Sequence, residues 1–173
     1  WSLLRQMGQV LKDGELPTLK HFKQDSRKVR RYFEALEMIF VLKKIACHEE
    51  GVGTDCWLPT DTGLASAFMG TMHGEGANLS LMRIAVYNEL LALNEYAGKR
   101  IRPVYYKTAR SAPVDLIWND TAIKISCLPK SQLSYDERIL ESAVKKLNLK
   151  QGLLCNRYSD IHLPQKKSKT KDA

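Results

Sequence analysis

Four cations, Arg27, Lys28, Arg30 and Arg31, crowd the few residues after Asp25-Ser26, a pair of the kind that starts a helix. Cations at this density neutralise phosphates, and an Arg in a major groove can pair with guanine. The plainer alternative is a solvated helix face, with Arg30 packed against a neighbouring domain. The whole chain leans the same way: a formal net charge of +8 over 173 residues attracts polyanions, of which nucleic acid is the usual one. Part of that excess is Lys166, Lys167, Lys169 and Lys171. They follow Pro164 without apolar periodicity and are expected to form a solvated, disordered tail.

Metal chemistry finds less support. The four cysteines, Cys47, Cys56, Cys127 and Cys155, form no CxxC pair and lie among apolar residues, as reduced core thiols in a cytoplasmic protein do. The four histidines, His21, His48, His73 and His162, show no HxxxH or HEXXH spacing. A structural zinc site would need ligands to converge without a local motif, Cys47, His48 and Cys56 being the nearest to one. No GxxxxGK[ST] run supplies a phosphate cradle, so ATP binding is not expected.

Hydrophobic residues make up 44% of the chain and charged residues 27%, which fits a soluble globular protein. No apolar run reaches the roughly 18 residues of a membrane span. Arg5, Gln6, Gln9 and Lys12 interrupt the first apolar residues, against a signal peptide. Opening at Trp1 without an initiator Met is expected of a fragment or processed product.

The elements that must carry these residues follow from periodicity. Leu3, Leu4, Met7, Val10 and Leu11 recur at helical spacing, and Asp13-Gly14 ends that helix. Leu16-Pro17 predicts a short second helix through Leu19 and Phe22. After Asp25-Ser26, Val29, Phe33, Leu36, Ile39 and Phe40 make one apolar stripe of a third. Such a trio is a helix-turn-helix arrangement, and a following hairpin, Phe40–Cys47 then Cys56–Leu58 around Gly51-Val52-Gly53, completes a winged helix.

Asp61-Thr62-Gly63-Leu64 opens the next unit, with a short helix to Gly70 and a glycine-rich stretch, 71–78, that reads as a mobile loop. Leu81 to Leu93 form a long amphipathic helix ended by Gly98. Strands are predicted at Arg102–Lys107, Val114–Trp118 and Thr121–Cys127, with a tight turn at Asn119-Asp120. A helix over Tyr135–Leu147 and a strand over Gly152–Asn156 follow. The order from residue 80 is α-β-β-β-α-β. Of Tyr105 and Tyr106, alternation predicts one in the core and one facing out, where stacking on a base is the alternative to filling space.

That order is the core of the PD-(D/E)XK nuclease superfamily. More narrowly, the chain resembles the domain of unknown function that follows the ATPase module in many prokaryotic AAA+ proteins. The resemblance rests on an ordered series: Ser26-Arg27-Lys28-Val29-Arg30-Arg31-Tyr32, Leu36–Val41, Asp61-Thr62-Gly63-Leu64, Val86–Leu91, Val104–Thr108, Val114-Asp115-Leu116-Ile117 and Ala122-Ile123-Lys124-Ile125. It covers the chain to about Arg157.

What the resemblance implies is an Asp on the second core strand and a Glu or Asp followed two residues later by Lys on the third, the carboxylates holding Mg²⁺. Asp115 matches the first position. The other two read Lys124 and Ser126, and the preceding helix carries Arg83 where relatives often have Glu. An ammonium in place of a carboxylate costs a bound divalent ion several kcal/mol even at an effective dielectric near 20. The expectation is a dead site in which Asp115 pairs with Lys124 or Arg83. Glu89 or Asp120 moving inward would be the rescue. The resemblance also implies that ATP and Mg²⁺ act only in an upstream ATPase module, and that Trp1 and Trp57 mark surfaces such a module covers.

The reading is therefore α+β: a winged helix-turn-helix over 1–59, a degenerate nuclease-like domain over 60–160 and a basic tail over 161–173. The function expected is a non-catalytic module, without cofactor or membrane contact, that binds DNA or a protein partner. An active Mg²⁺-dependent nuclease and a purely structural coupling or oligomerisation domain are the rivals.

Overall fold

In a computed structural model, which describes residues 2–70 and 74–157, the first helix, α1 (Ser2–Lys12), buries Met7, Val10 and Leu11. Gly14 ends it in the left-handed region, at φ 72°. The second predicted helix is only a 3₁₀ turn, Leu19–His21. Its N-terminal part is extended instead, because Thr18 bridges Cys56 and the Pro17 carbonyl accepts the Trp57 N–H at 3.0 Å. Strand pairing has taken backbone groups that a helix would have used internally.

Helix α2 (Ser26–Met38) starts where Asp25 predicts, the carboxylate accepting the N–H groups of Arg27 and Lys28 at 2.9 and 3.1 Å. It buries Val29 and Phe33, and the Phe33 ring meets Phe22 edge-on at 4.9 Å and Trp57 at 5.4 Å. The predicted apolar stripe stops short. Ile39 and Phe40 are exposed, because the helix has already ended and the chain turns away.

Strands β1 (Leu42–Ile45) and β2 (Cys56–Pro59) pair antiparallel, Leu42 opposite Pro59 and Ile45 opposite Cys56. The segment joining them lies along a third strand, β3 (Val104–Tyr106): His48 N–H donates to the Tyr105 carbonyl at 2.7 Å, and Tyr105 N–H to the Ala46 carbonyl at 3.0 Å. Helix α3 (Thr62–Met69) is capped by Asp61 and closed by Gly70.

The long helix α4 (Glu75–Tyr96) begins inside the stretch that reads as a loop, and residues 71–73 of that stretch lie outside the described residues. Its first turn is pressed against the end of α1: a Cβ on Gly76 would stand 2.1 Å from the Lys12 carbonyl oxygen. That contact explains a glycine in a helix, where alanine would otherwise be favoured. Ser80, fully buried, fastens the same junction by donating to the Leu11 carbonyl at 2.7 Å.

The main sheet has the order β3-β4-β5-β6, with β4 Val114–Trp118, β5 Thr121–Ser126 and β6 Gln151–Asn156. β3, β4 and β5 run antiparallel, whereas β6 joins β5 in parallel after the crossover helix α5 (Ser134–Lys146). From residue 75 the observed order is thus α-β-β-β-α-β. One apolar cluster packs α5 on one side of the sheet through Val114, Ala122, Leu154, Ile139, Leu140 and Ala143. The other runs without a break from Met7, Phe33 and Trp57 through Ile84 and Tyr87 to Leu116, Ile123 and Ile125.

Candidate functional site

The β3–β4 pairing slips between Val104–Ile117 and Tyr106–Val114, and the β4–β5 ladder runs from Trp118–Thr121 only as far as Leu116–Ile123. Asp115 sits in this irregular stretch. There it accepts the Ile125 N–H on Oδ2 at 2.7 Å, replacing a ladder bond with a side-chain one. The same carboxylate is reached from α4 by Arg83, Nε to Oδ1 at 2.5 Å, and from β5 by Lys124, Nζ to Oδ2 at 3.2 Å. All three side chains are buried.

Two further groups complete the cluster. Arg83 Nη1 also donates to the Gly14 carbonyl, which ties the α1 terminus to the sheet. Lys124 Nζ lies 3.8 Å from Oδ1 of Asp136, in the first turn of α5. Two cations and two carboxylates therefore share one buried region, and their formal charges cancel. Neutrality matters because an unbalanced buried ion costs several kcal/mol, whereas a paired one is tolerated. Burial pushes the Asp115 carboxyl up, but the charge of Arg83 and then of Lys124, together with the Ile125 hydrogen bond, outweighs it and holds the pKa below the ordinary carboxylate value.

This arrangement does not fit Mg²⁺. Both oxygens of Asp115 are occupied by donors, and the nearest second carboxylate, Asp136, faces the same Lys124. Ser126 is buried but turned to its own strand end, accepting the Leu128 N–H at 3.3 Å. Glu89 is exposed on α4, and Asp120 pairs with Lys150, so neither joins Asp115. Among the described residues no group of three His, Cys, Asp or Glu side chains is arranged to hold a metal ion.

The structure brings the α2 cations together in a different way. Arg27, Lys28, Arg30 and Arg31 are all exposed, and none takes part in an ion pair among the described residues. Arg27, Arg31, Glu34 and Met38 follow one another at i, i+4, i+7 and i+11, which lines them along one helix face.

Several other residues have structural places. Tyr105 and Tyr106 are both buried, at 1% and 2% exposure, each in a different apolar cluster; neither faces solvent. The strand is covered on both sides, by α5 and by the β1–β2 connection, which strand alternation alone cannot reveal. Trp57 is buried against Phe33 and marks no open surface, while Trp1 lies outside the described residues. Trp118 donates its indole N–H to Asn94 at 3.0 Å. Asn88, beside Glu89, holds Lys43 at 2.7 Å and the Thr60 carbonyl at 2.9 Å, joining α4 to β1 and the end of β2. The thiol of Cys56 is fully buried, and that burial raises its pKa far above the ordinary thiol value, the mark of an inert core cysteine. The basic tail lies outside the described residues.

Sequence reading missed Asp136. Its only signal was an acidic residue in a helix's first turn, a common placement for dipole reasons. It also missed the Gly14 carbonyl, since main-chain acceptors leave no trace in residue types. No protein-family model matches the chain, and no curated protein or solved structure matches it significantly.

Proposed function

We propose that this chain is a non-catalytic nucleic-acid-binding module, and that its buried charge cluster is the structural remainder of a metal-dependent nuclease site. The observation that carries the reading is the exposed, uncompensated cation group Arg27, Lys28, Arg30 and Arg31 at the capped start of α2. In a winged helix-turn-helix that helix start is what meets the duplex. The α-β-β-β-α-β order after residue 75 and the sheet order β3-β4-β5-β6 favour a nuclease-like second half. With Lys124 and Arg83 turned onto Asp115, that half contributes stability and no hydrolysis. The ordered series of segments from Ser26 to Ile125 supports a parent protein of the AAA+ type acting in the cytoplasm.

Anisotropy titrations with labelled duplex and single-stranded oligonucleotides across a salt series test this. The affinity is expected to fall steeply with salt, because each neutralised phosphate releases counterions. Replacing Arg27, Lys28, Arg30 and Arg31 by Glu is expected to abolish binding while the circular dichroism spectrum stays unchanged. Absence of binding at low salt, or indifference to the charge reversal, overturns the reading. Plasmid incubated with Mg²⁺ or Mn²⁺ is expected to stay intact; cleavage lost in a folded Asp115→Asn variant would reinstate the nuclease.

A further inference from the structure

Among the described residues, four helices end in one and the same motif. The residue after the cap turns left-handed, its N–H returns to the carbonyl three residues back, and the next N–H reaches five back. In α1 the turning residue is Gly14, with bonds of 3.0 Å to Leu11 and, from Glu15, 3.1 Å to Val10. In α4 it is Gly98, at φ 63°, and in α5 it is Asn148, at φ 50°. Glycine and asparagine are the residues that accept this conformation. In α2 it is Phe40, at φ 59°, with bonds of 3.0 Å to Glu37 and, from Val41, 2.9 Å to Leu36.

Phenylalanine there is strained, and its exposed side chain makes no core packing that would offset the strain. Its side chain is 81% exposed, and Met38 and Ile39 beside it are 74% and 65% exposed. Strain kept at a solvent-facing position points to a use for the side chain itself. Its neighbours narrow that use. Phe40 lies two residues beyond Met38, the last residue of the face that carries Arg27, Arg31 and Glu34, and at 1.5 Å per residue about 17 Å separate Arg27 from Met38 along the axis. An exposed aromatic ring at one end of a helix whose other end carries unpaired cations is a combination that holds unpaired bases, the cations Arg27 and Arg31 tracking phosphates on the far side of Glu34 and the ring stacking on a base. A protein partner is a poorer fit, since a stable protein interface engages about 20–30 residues a side and this is one helix end.

We propose that Phe40 is a base-stacking residue and that the preferred ligand of α2 is single-stranded nucleic acid, or a duplex with an unpaired base; this rests on the nucleic-acid reading above. The test uses the whole chain and its Phe40→Gly, Phe40→Leu and Phe40→Tyr variants. Phe40→Gly relieves the strain, so the Tm is expected to rise by about 2–4 °C while single-strand affinity falls about tenfold. Phe40→Leu keeps the strain and loses the ring, so affinity falls without the gain in Tm. Phe40→Tyr keeps both ring and affinity. Fluorescence of a 2-aminopurine placed in the oligonucleotide is expected to be quenched by the original chain and not by Phe40→Gly, and duplex affinity is expected to be equal in the two.

Single-strand binding that is salt-sensitive yet unchanged in Phe40→Gly overturns the stacking role and leaves the cationic reading standing. No binding by the original chain removes both. Sedimentation showing a dimer that Phe40→Gly converts to monomer overturns the proposal in favour of an apolar contact between copies.

Discussion

Arg83 binds Asp115 through a 2.5 Å Nε–Oδ1 contact while the same guanidinium holds the Gly14 carbonyl, so one side chain of α4 grips both the central strand and the end of α1. Removing either partner leaves an unbalanced charge where water cannot reach. Arg83→Met and Asp115→Leu are each expected to destabilise the chain by about 3–5 kcal/mol. The double variant keeps the neutral Lys124–Asp136 pair. Its cost should fall short of the sum by about 1–3 kcal/mol, read from urea unfolding of all four forms. Additive losses would show that the pair is not coupled.

Acid should weaken the fold through the same carboxylate. In the unfolded chain Asp115 titrates near about pH 3.9, and in the folded chain lower. The folded state therefore holds fewer protons at this group wherever the two states differ. The stability it contributes is fully present above the unfolded value and is lost as pH falls through the lower, folded value. Urea midpoints of the original chain should drop below about pH 4 more steeply than those of Asp115→Asn.

Salt dependence separates the four α2 cations from the buried ones. Each exposed cation that meets a phosphate should contribute about 0.7–0.9 to the slope of log affinity against log salt. Single Ala variants of Arg27, Lys28, Arg30 and Arg31 are each expected to flatten that slope by about 0.7–0.9 and leave the Tm unchanged. A slope unmoved by all four would place the contact elsewhere.

At the junction of α1 and α4, Gly76→Ala sets two effects against each other. Alanine favours a helix over glycine by about 1 kcal/mol. Here, however, the added methyl would meet the Lys12 oxygen at 2.1 Å and the Gly14 nitrogen at 2.7 Å, both of them backbone. The clash should win, with a net loss of about 2 kcal/mol or more in urea unfolding. A gain in stability would mean that the helices are free to part.

Much of this was legible in the residues, for reasons that also mark where reading stops. Periodicity found α1, α2, α4 and α5 and the strands β4, β5 and β6, because each buries a face whose spacing the sequence carries. Asp115, Lys124 and Arg83 were found by type, and their meeting follows from strand pairing and the reach of a helical Arg. Long-range pairing was not legible. Pro17-Thr18 is extended only because β2 lies beside it, and Tyr106 is inside only because α5 covers it. Glycine misled most. Gly74 and Gly76 read as a loop, yet Gly76 is helical, and its missing Cβ serves a close approach that local sequence cannot announce. Phe40 misled in the opposite direction, since an apolar residue at helical spacing implies burial.

The unbroken apolar cluster from Met7 to Ile125, bolted by Arg83, also bears on how the chain comes apart. Neither a piece ending at Pro59 nor one beginning at Thr60 retains a complete interior, so neither should hold its shape alone. Heating ought to melt helices and sheet together in a single step, and within the described residues a protease should find the elements resistant together or open together.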